Sequence, residues 1–257
     1  MRIVVKVGTS TLAHAGGLLN IRRVEELCKV LSDLKNAGND VILVSSGAIG
    51  MGAGKLQLKS KPTDIAGKQA AAAVGQCELM YTYDKLFSEY NHTVAQLLMT
   101  GDDFDHKDRY NNFINTMNKL LEFKALPIIN ENDTVSTDEI KVGDNDTLSA
   151  MVAVSVKADL LVLLSDIDGL FTCDPHKNSD ATLISVVSEI TDEIRVLAGG
   201  EGSTLGTGGM KTKIRAAEIS TSKGCDMVIA NGENPYVLYD IVDGKSVGTR
   251  FIKKVGV

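Results

Sequence analysis

The sequence predicts an α/β fold, a three-layer α/β/α sandwich around a mainly parallel sheet. Three observations lead there. Short, almost wholly apolar segments, among them residues 2–7 (RIVVKV), 41–44 (VILV) and 159–164 (DLLVLL), have the composition of strands covered on both faces. Segments with one apolar helical face separate them, and strand alternates with helix along the chain, as in parallel sheets joined by helical crossovers. Glycines, hydroxyls and acids gather just after the strands, at the carboxyl ends where such sheets bind ligands.

The first strand carries Lys6 among apolar residues. Either this lysine snorkels to solvent from an edge strand, or it meets a ligand together with Gly8, Thr9 and Ser10, whose amides and hydroxyls suit phosphate oxygens. Asn20 is a good N-cap, and Val24, Leu27, Cys28, Leu31 and Leu34 share one face of the helix that follows, up to Gly38. The strand at 41–44 runs into SSGAIGMGAGK (45–55), which misses the dinucleotide fingerprint because Lys55 replaces its third glycine. It reads as a flexible loop whose amides hold a carboxylate or phosphate beside the Ser46 hydroxyl. Residues 66–90 read as a long helix with a small-residue face, 93–99 as a strand, 102–108 as an acidic solvated loop and 110–123 as a helix.

Residues 128–150 place Glu131, Asp133, Asp138, Glu139, Asp144 and Asp146, with Asn130, Asn132 and Asn145, between two apolar segments. The strand at 126–130 enters this stretch through Pro127, and a helical segment, 147–157, leaves it. A turn at Asn132 and Asp133 and a helix cap at Asp144 account structurally for part of it. Two polar clusters about ten residues apart, one at a strand end and one at a helix start, point further, to a site that grips a polar substrate. Residues 134–142 between them read as a small hairpin or lid.

The strand at 159–164 exits into Ser165, Asp166 and Asp168. Residues 199–213 (GGEGSTLGTGGMKTK) then feed a helix running through Ile214, Ala217 and Ile219. A glycine-rich loop at a helix start is an anion site, although the spacing is not that of a Walker A loop. Lys211 and Lys213 sit where the helix dipole disfavours positive charge, which a bound anion would reverse. Residues 227–230 and 247–252 read as closing strands.

A chain of 257 residues buries a large core as one α/β domain or two small ones. Its net charge of −6, without a dense Lys/Arg block, argues against a nucleic-acid partner and for small molecules. Cys28, Cys77, Cys173 and Cys225 are far apart, lack CxxC spacing and read as reduced core thiols. No basic-plus-apolar leader precedes the first strand, and no apolar run approaches the ~20 residues of a membrane helix, so a cytoplasmic protein without membrane contact is expected. Two lysines and polar groups at four strand exits favour phosphoryl transfer, which needs positioned positive charge more than covalent work. Protein-kinase HRD and DFG patterns are absent, and His14, His92, His106 and His176 lie in polar, loop-like contexts.

Six motifs, VKVGTS (5–10), SSGAIGMG (45–52), IINENDTV (128–135), GDNDTLSA (143–150), SDIDGL (165–170) and GTGGMKTK (206–213), resemble those of the amino acid kinases from end to end. The likeness is to the members that phosphorylate the side-chain carboxylate of L-glutamate at the start of proline synthesis. It implies a single amino acid kinase domain over 1–257, with a glutamate and phosphoryl-transfer part at about 1–164 and a nucleotide part at about 165–257. It further implies that Lys6 and Lys213 contact the transferring phosphoryl group, with Asp146 orienting both. Ser46, Asp133 and Asn145 would hold glutamate. Lys6, Ser165, Asp166, Thr207, Gly208, Gly209, Met210, Lys211, Thr212 and Lys213 would line the ATP site, with Mg²⁺ bridging the phosphates. Ser165 stands where threonine is common and Lys211 where a small residue is common. Many relatives also carry a C-terminal RNA-binding-like domain that these residues do not include. The resemblance also implies a homo-oligomer, dimer or tetramer, and proline as a feedback inhibitor, both common in the family. The competing expectations are a kinase of the same fold acting on acetylglutamate or aspartate, and a non-catalytic module binding an amino acid or nucleotide.

Overall fold

Strands β1 (Arg2–Val7), β2 (Asp40–Val44), β3 (Val94–Met99), β4 (Leu126–Glu131), β5 (Leu160–Ser165), β6 (Val186–Val187), β7 (Asp226–Asn231) and β8 (Thr249–Phe251) form one sheet in the order β3-β4-β2-β1-β5-β7-β8-β6. All neighbours are parallel except β7 and β8. The computed structural model describes residues 1–14, 18–135, 144–175, 177–198 and 209–254. Lys6 lies opposite Val44 on one side and Leu163 on the other, so its strand is central and the edge-strand account is excluded.

The two-residue period of β1 sorts its side chains between two cores. Ile3, Val5 and Val7 pack with helices α2 (Ile21–Asn36), α4 (Ile65–Ser88) and α10 (Val237–Val242). Val4 packs on the opposite face with α6 (Lys107–Glu122), α7 (Asn145–Ser155) and α9 (Met210–Thr221), and the same alternation gives Lys6 to that face. Buried apolar strands between two helical layers are the predicted sandwich. No helix among the described residues is long and apolar enough to cross a membrane.

From β1 the chain moves outward to β2 and beyond, and after β4 it returns through α7 to β5 on the other side of β1. Strand order thus reverses about β1, and the carboxyl ends of β1, β2, β4 and β5 meet at the crevice where open sheets take ligands.

Several expectations are corrected. The stretch read as a flexible glycine loop is helix α3 (Ala48–Lys55). Gly52 serves packing against α4: a Cβ on it would lie 1.7 Å from the Ala71 carbonyl oxygen, and one on Gly75 of α4 would lie 1.8 Å from that of Ala48. Only Gly47, at φ +99°, is there for its backbone conformation. The acidic stretch at 102–108 is helical too, in α5 (Gly101–Asp105) and the start of α6. Asp103 there accepts from the Thr100 N–H at 2.7 Å, and acids suit a first helical turn. Gly8 leads into a short helix, α1 (Thr9–Leu12), at the carboxyl end of β1. Cys28 and Cys225 are buried thiols, but Cys77 is exposed on α4 and Cys173 half-exposed, so those two are not core residues. The closing segment at 247–252 contributes only the short antiparallel β8. The hairpin or lid expected at 134–142 falls mostly outside the described residues.

Candidate active site

Lys6, Asp146 and Lys213 come together at the carboxyl end of β1. Lys6 Nζ lies 2.7 Å from Asp146 Oδ1, a close ion pair. Lys213 Nζ lies 3.1 Å from Oδ2, and the Thr212 hydroxyl donates to that same oxygen at 2.8 Å. All three charged residues are buried, with exposures of 9% for Lys6, 1% for Asp146 and 6% for Lys213. Each comes from a different element: the end of β1, the first turn of α7 and the first turn of α9. Burial pushes the Asp146 carboxyl up, but the Lys6 and Lys213 charges outweigh burial and hold it at about 2. Two cations share one anion, so the cluster carries net positive charge where water is largely excluded. Such an arrangement stabilises added negative charge strongly.

Asp144, two residues before Asp146, does the work assigned to it structurally: its Oδ1 accepts from the Thr147 N–H at 2.7 Å and caps α7. Its carboxyl is pushed upward, first by burial and also by the Asp146 charge.

A second cluster consists of amides. Asn145 Nδ2 lies 3.0 Å from the Ser45 carbonyl oxygen, 2.7 Å from Ser46 Oγ and 3.0 Å from Asn130 Oδ1. A backbone carbonyl can only accept, which fixes the Asn145 amide with its NH₂ inward. Its Oδ1 is buried and has no hydrogen-bond partner among the described residues. Such orphan acceptors are rare in native proteins and call for a donor from outside the described residues, a ligand or a water. Asp133 sits in the turn after β4, where burial, then repulsion from Glu131, pushes its carboxyl up to about 6. Ser46, Asn145 and the carboxyl ends of β2 and β4 are therefore one neighbourhood, as the sequence predicted. Asn130 was read as a strand end and one of the asparagines of the polar stretch, without a role of its own. Gln76, which accepts from Asn130 Nδ2 at 2.8 Å, gave almost no signal from within an alanine-rich helix.

On the far side of β1, Ser165 Oγ donates to Asp166 Oδ1 at 3.1 Å, and Asn231 Nδ2 donates to Asp168 Oδ1 at 2.8 Å. Gly209 is the N-cap of α9 and supplies no side-chain cap. The N-cap therefore leaves the first N–H groups of that helix without a side-chain cap among the described residues, which suits an anion. Met210 is half-buried and Lys211 exposed, while Thr207 and Gly208 lie outside the described residues. A Cβ on Gly8 would stand 3.5 Å from Lys6 Nζ and 3.8 Å from Ser10 Oγ, so the missing side chain leaves room directly above the lysine.

Mg²⁺ suits this donor set as a passenger on phosphates. No three His, Cys, Asp or Glu side chains among the described residues converge as a metal cage. Mg²⁺ commonly keeps its waters and binds through substrate phosphates and one or two carboxylates. At the exit of β5, Asp166 is a carboxylate of the kind such a contact uses.

The Amino acid kinase family model matches residues 1–231. The chain is 54% identical over 259 residues to the glutamate 5-kinase of Clostridium perfringens, covering 99% of this chain and 96% of that one. It is 59% identical over 249 residues to that of Clostridium tetani, covering 97% and 93% respectively. Its fold is similar to that of the carbamate kinase from Giardia lamblia bound to AMP-PNP, at a TM-score of 0.69, 17% identity and 98% coverage of both chains.

Proposed function

We infer that this chain, which belongs to the amino acid kinase family and within it to the glutamate 5-kinases, transfers the γ-phosphoryl group of ATP to the side-chain carboxylate of L-glutamate. The product is L-glutamyl 5-phosphate, the entry to proline synthesis. The observation that carries the mechanism is the buried Lys6–Asp146–Lys213 cluster beside the amide cluster.

Ser46, Asp133 and Asn145 hold glutamate: the orphan Asn145 Oδ1 and the Asp133 carboxylate receive its ammonium, and the Ser46 hydroxyl and α3 amides face its carboxylates. Ser165, Asp166 and residues 207–213 hold the nucleotide, which assigns about 1–164 to glutamate and phosphoryl transfer and about 165–257 to ATP. Glutamate's carboxylate, with a solution pKa of ~4.3, is already ionised at neutral pH, so no base removes a proton. One carboxylate oxygen forms a bond to phosphorus as the bond to the β-phosphate oxygen breaks and ADP leaves with the electron pair. Lys6 and Lys213 stabilise the charge on the moving phosphoryl oxygens, and Asp146 keeps the two ammonium groups together. Asp166 would hold Mg²⁺, whose charge would partly neutralise the phosphates.

The direct test is ADP release from ATP and Mg²⁺ with glutamate, aspartate and acetylglutamate in turn. Glutamate alone is expected to drive it, and release driven by acetylglutamate or aspartate instead would overturn the substrate. The family resemblance also supports a cytoplasmic homo-oligomer, dimer or tetramer, inhibited by proline. Light scattering and a proline titration of the glutamate reaction test both.

Asp133→Ala and Asn145→Ala should each weaken glutamate binding by ~10-fold or more while leaving ATP binding nearly unchanged, measured by calorimetry. Equal loss of both affinities would point to a structural role. The raised Asp133 carboxyl adds a pH signature. Half of it is protonated near pH 6, and only the ionised form pairs with an ammonium group. The KM for glutamate should therefore fall as pH rises from ~5.5 to ~7.5 and then level off, and Asp133→Asn should remove that dependence.

A further inference from the structure

We propose that Gln76 is a positioning residue for substrate recognition. It sets the direction in which Asn130 and Asn145 present their amides, and so which end of Asn145 the amino acid meets. The inference rests on the reading of Asn145 as a glutamate-binding residue.

The two ends of a carboxamide have nearly the same shape and opposite hydrogen-bonding character, so only its partners decide which end faces a site. Here three amides run head to tail. Gln76 Oε1 accepts from Asn130 Nδ2 at 2.8 Å. Asn130 Oδ1 then accepts from Asn145 Nδ2 at 3.0 Å and from the Glu131 N–H at 2.8 Å. The last atom of the series is the buried, unpartnered Asn145 Oδ1. The series ends on an acceptor, the complement of an ammonium group.

Removing the Gln76 oxygen leaves the Asn130 NH₂ buried without its acceptor. Turning the Asn130 amide over to relieve this would press its NH₂ against two donors, the Glu131 N–H and the Asn145 NH₂. Either arrangement strands a buried polar group, and the strain falls on Asn145. With Gln76 in place, one direction satisfies every member except the end that faces the ligand.

Backbone packing holds Gln76 where it is. Its neighbour Gly75 lies so close to α3 that a Cβ there would stand 1.8 Å from the Ala48 carbonyl oxygen and 2.5 Å from Gly52 N. Ala48 opens α3 two residues after Ser46, whose hydroxyl also accepts from Asn145. One helix crossing therefore holds Ser46 and, through Gln76, Asn130, two of the three partners of Asn145. Farther along the same buried face of α4, the Tyr83 hydroxyl pairs with Ser45 Oγ at 2.9 Å and steadies the residue whose carbonyl Asn145 also meets.

The test is a double-mutant cycle with a rescue, run on the whole chain with MgATP and glutamate, or with whichever acceptor the wild type turns over. Gln76→Met keeps the volume and removes the oxygen. It should raise the KM for the amino acid by about ten-fold, with kcat and the KM for ATP unchanged within about two-fold. Gln76→Glu offers Asn130 an oxygen in either protonation state and should recover most of that loss. In an Asn145→Ala background, Gln76→Met should add nothing, because its effect passes through Asn145. Additive effects, failure of Gln76→Glu to recover, or a parallel rise in the KM for ATP would each overturn the proposal. Gln76→Ala replaces Gln76→Met if thermal melting shows that the latter does not fold. A wild type that uses another acceptor would correct the substrate while leaving the cycle readable.

Discussion

Lys6→Met is expected to fold normally and to lose kcat by ~10²-fold or more, the equivalent of about 3 kcal/mol for one preorganised transition-state donor. Both halves of that expectation come from the cluster. Methionine suits the apolar strand around position 6, and without the lysine Asp146 still has Lys213 and the Thr212 hydroxyl at hydrogen-bond distance. The remaining pair is neutral, so no uncompensated charge is left inside. What disappears is the excess positive charge proposed above to meet the transferring phosphoryl group. Steady-state kinetics with a thermal melt on the same sample test this, and near-normal turnover would remove Lys6 from the mechanism.

Asp146→Asn is expected to fail differently. Taking away the anion leaves two buried ammonium groups facing each other, and breaking a buried pair in this way typically destabilises by about 3–5 kcal/mol. A clearly lowered melting temperature should accompany a kcat loss of ~10²-fold, because the lysines drift apart and misplacement on that scale is that damaging. The shape of the kcat–pH profile between ~6 and ~8 should nevertheless match the wild type at saturating substrates. The wild-type carboxylate, held at about 2 by its two lysines against the upward push of burial, has no proton to take up in that range. An acid limb near neutrality that vanishes in the variant would show instead that Asp146 acts as a base. The Asp133 dependence does not confuse this, since it acts on glutamate binding and is suppressed at saturation.

Much of this site was legible in the sequence because its parts are locally conspicuous. Lys6 interrupts an apolar strand, Lys213 opposes a helix dipole, and Asn145 and Asp146 begin an apolar helix. The division of labour between Asp144 and Asp146 was less visible. Both are acids at one helix start; the cap at Asp144 followed from helix chemistry, whereas the place of Asp146 between two lysines came from the family resemblance alone, because the lysines are distant in sequence. The glycines of α3 misled for a related reason. Glycine is a poor helix former, so GAIGMGAG reads as loop, yet the contact of Gly52 and Gly75 across two helices overrides that propensity. Gln76 meets Asn130 across 54 residues of chain, a pairing that no local pattern encodes.

The most direct measurement of the whole account is chemical identification of the product. Incubation with ATP, Mg²⁺, glutamate and hydroxylamine should yield one glutamyl hydroxamate for each ADP released, because an acyl phosphate reacts with hydroxylamine whereas a phosphate ester does not. Lys6→Met should suppress both signals together. ADP release without hydroxamate, or hydroxamate formed only from acetylglutamate or aspartate, would contradict phosphoryl transfer to the glutamate side chain.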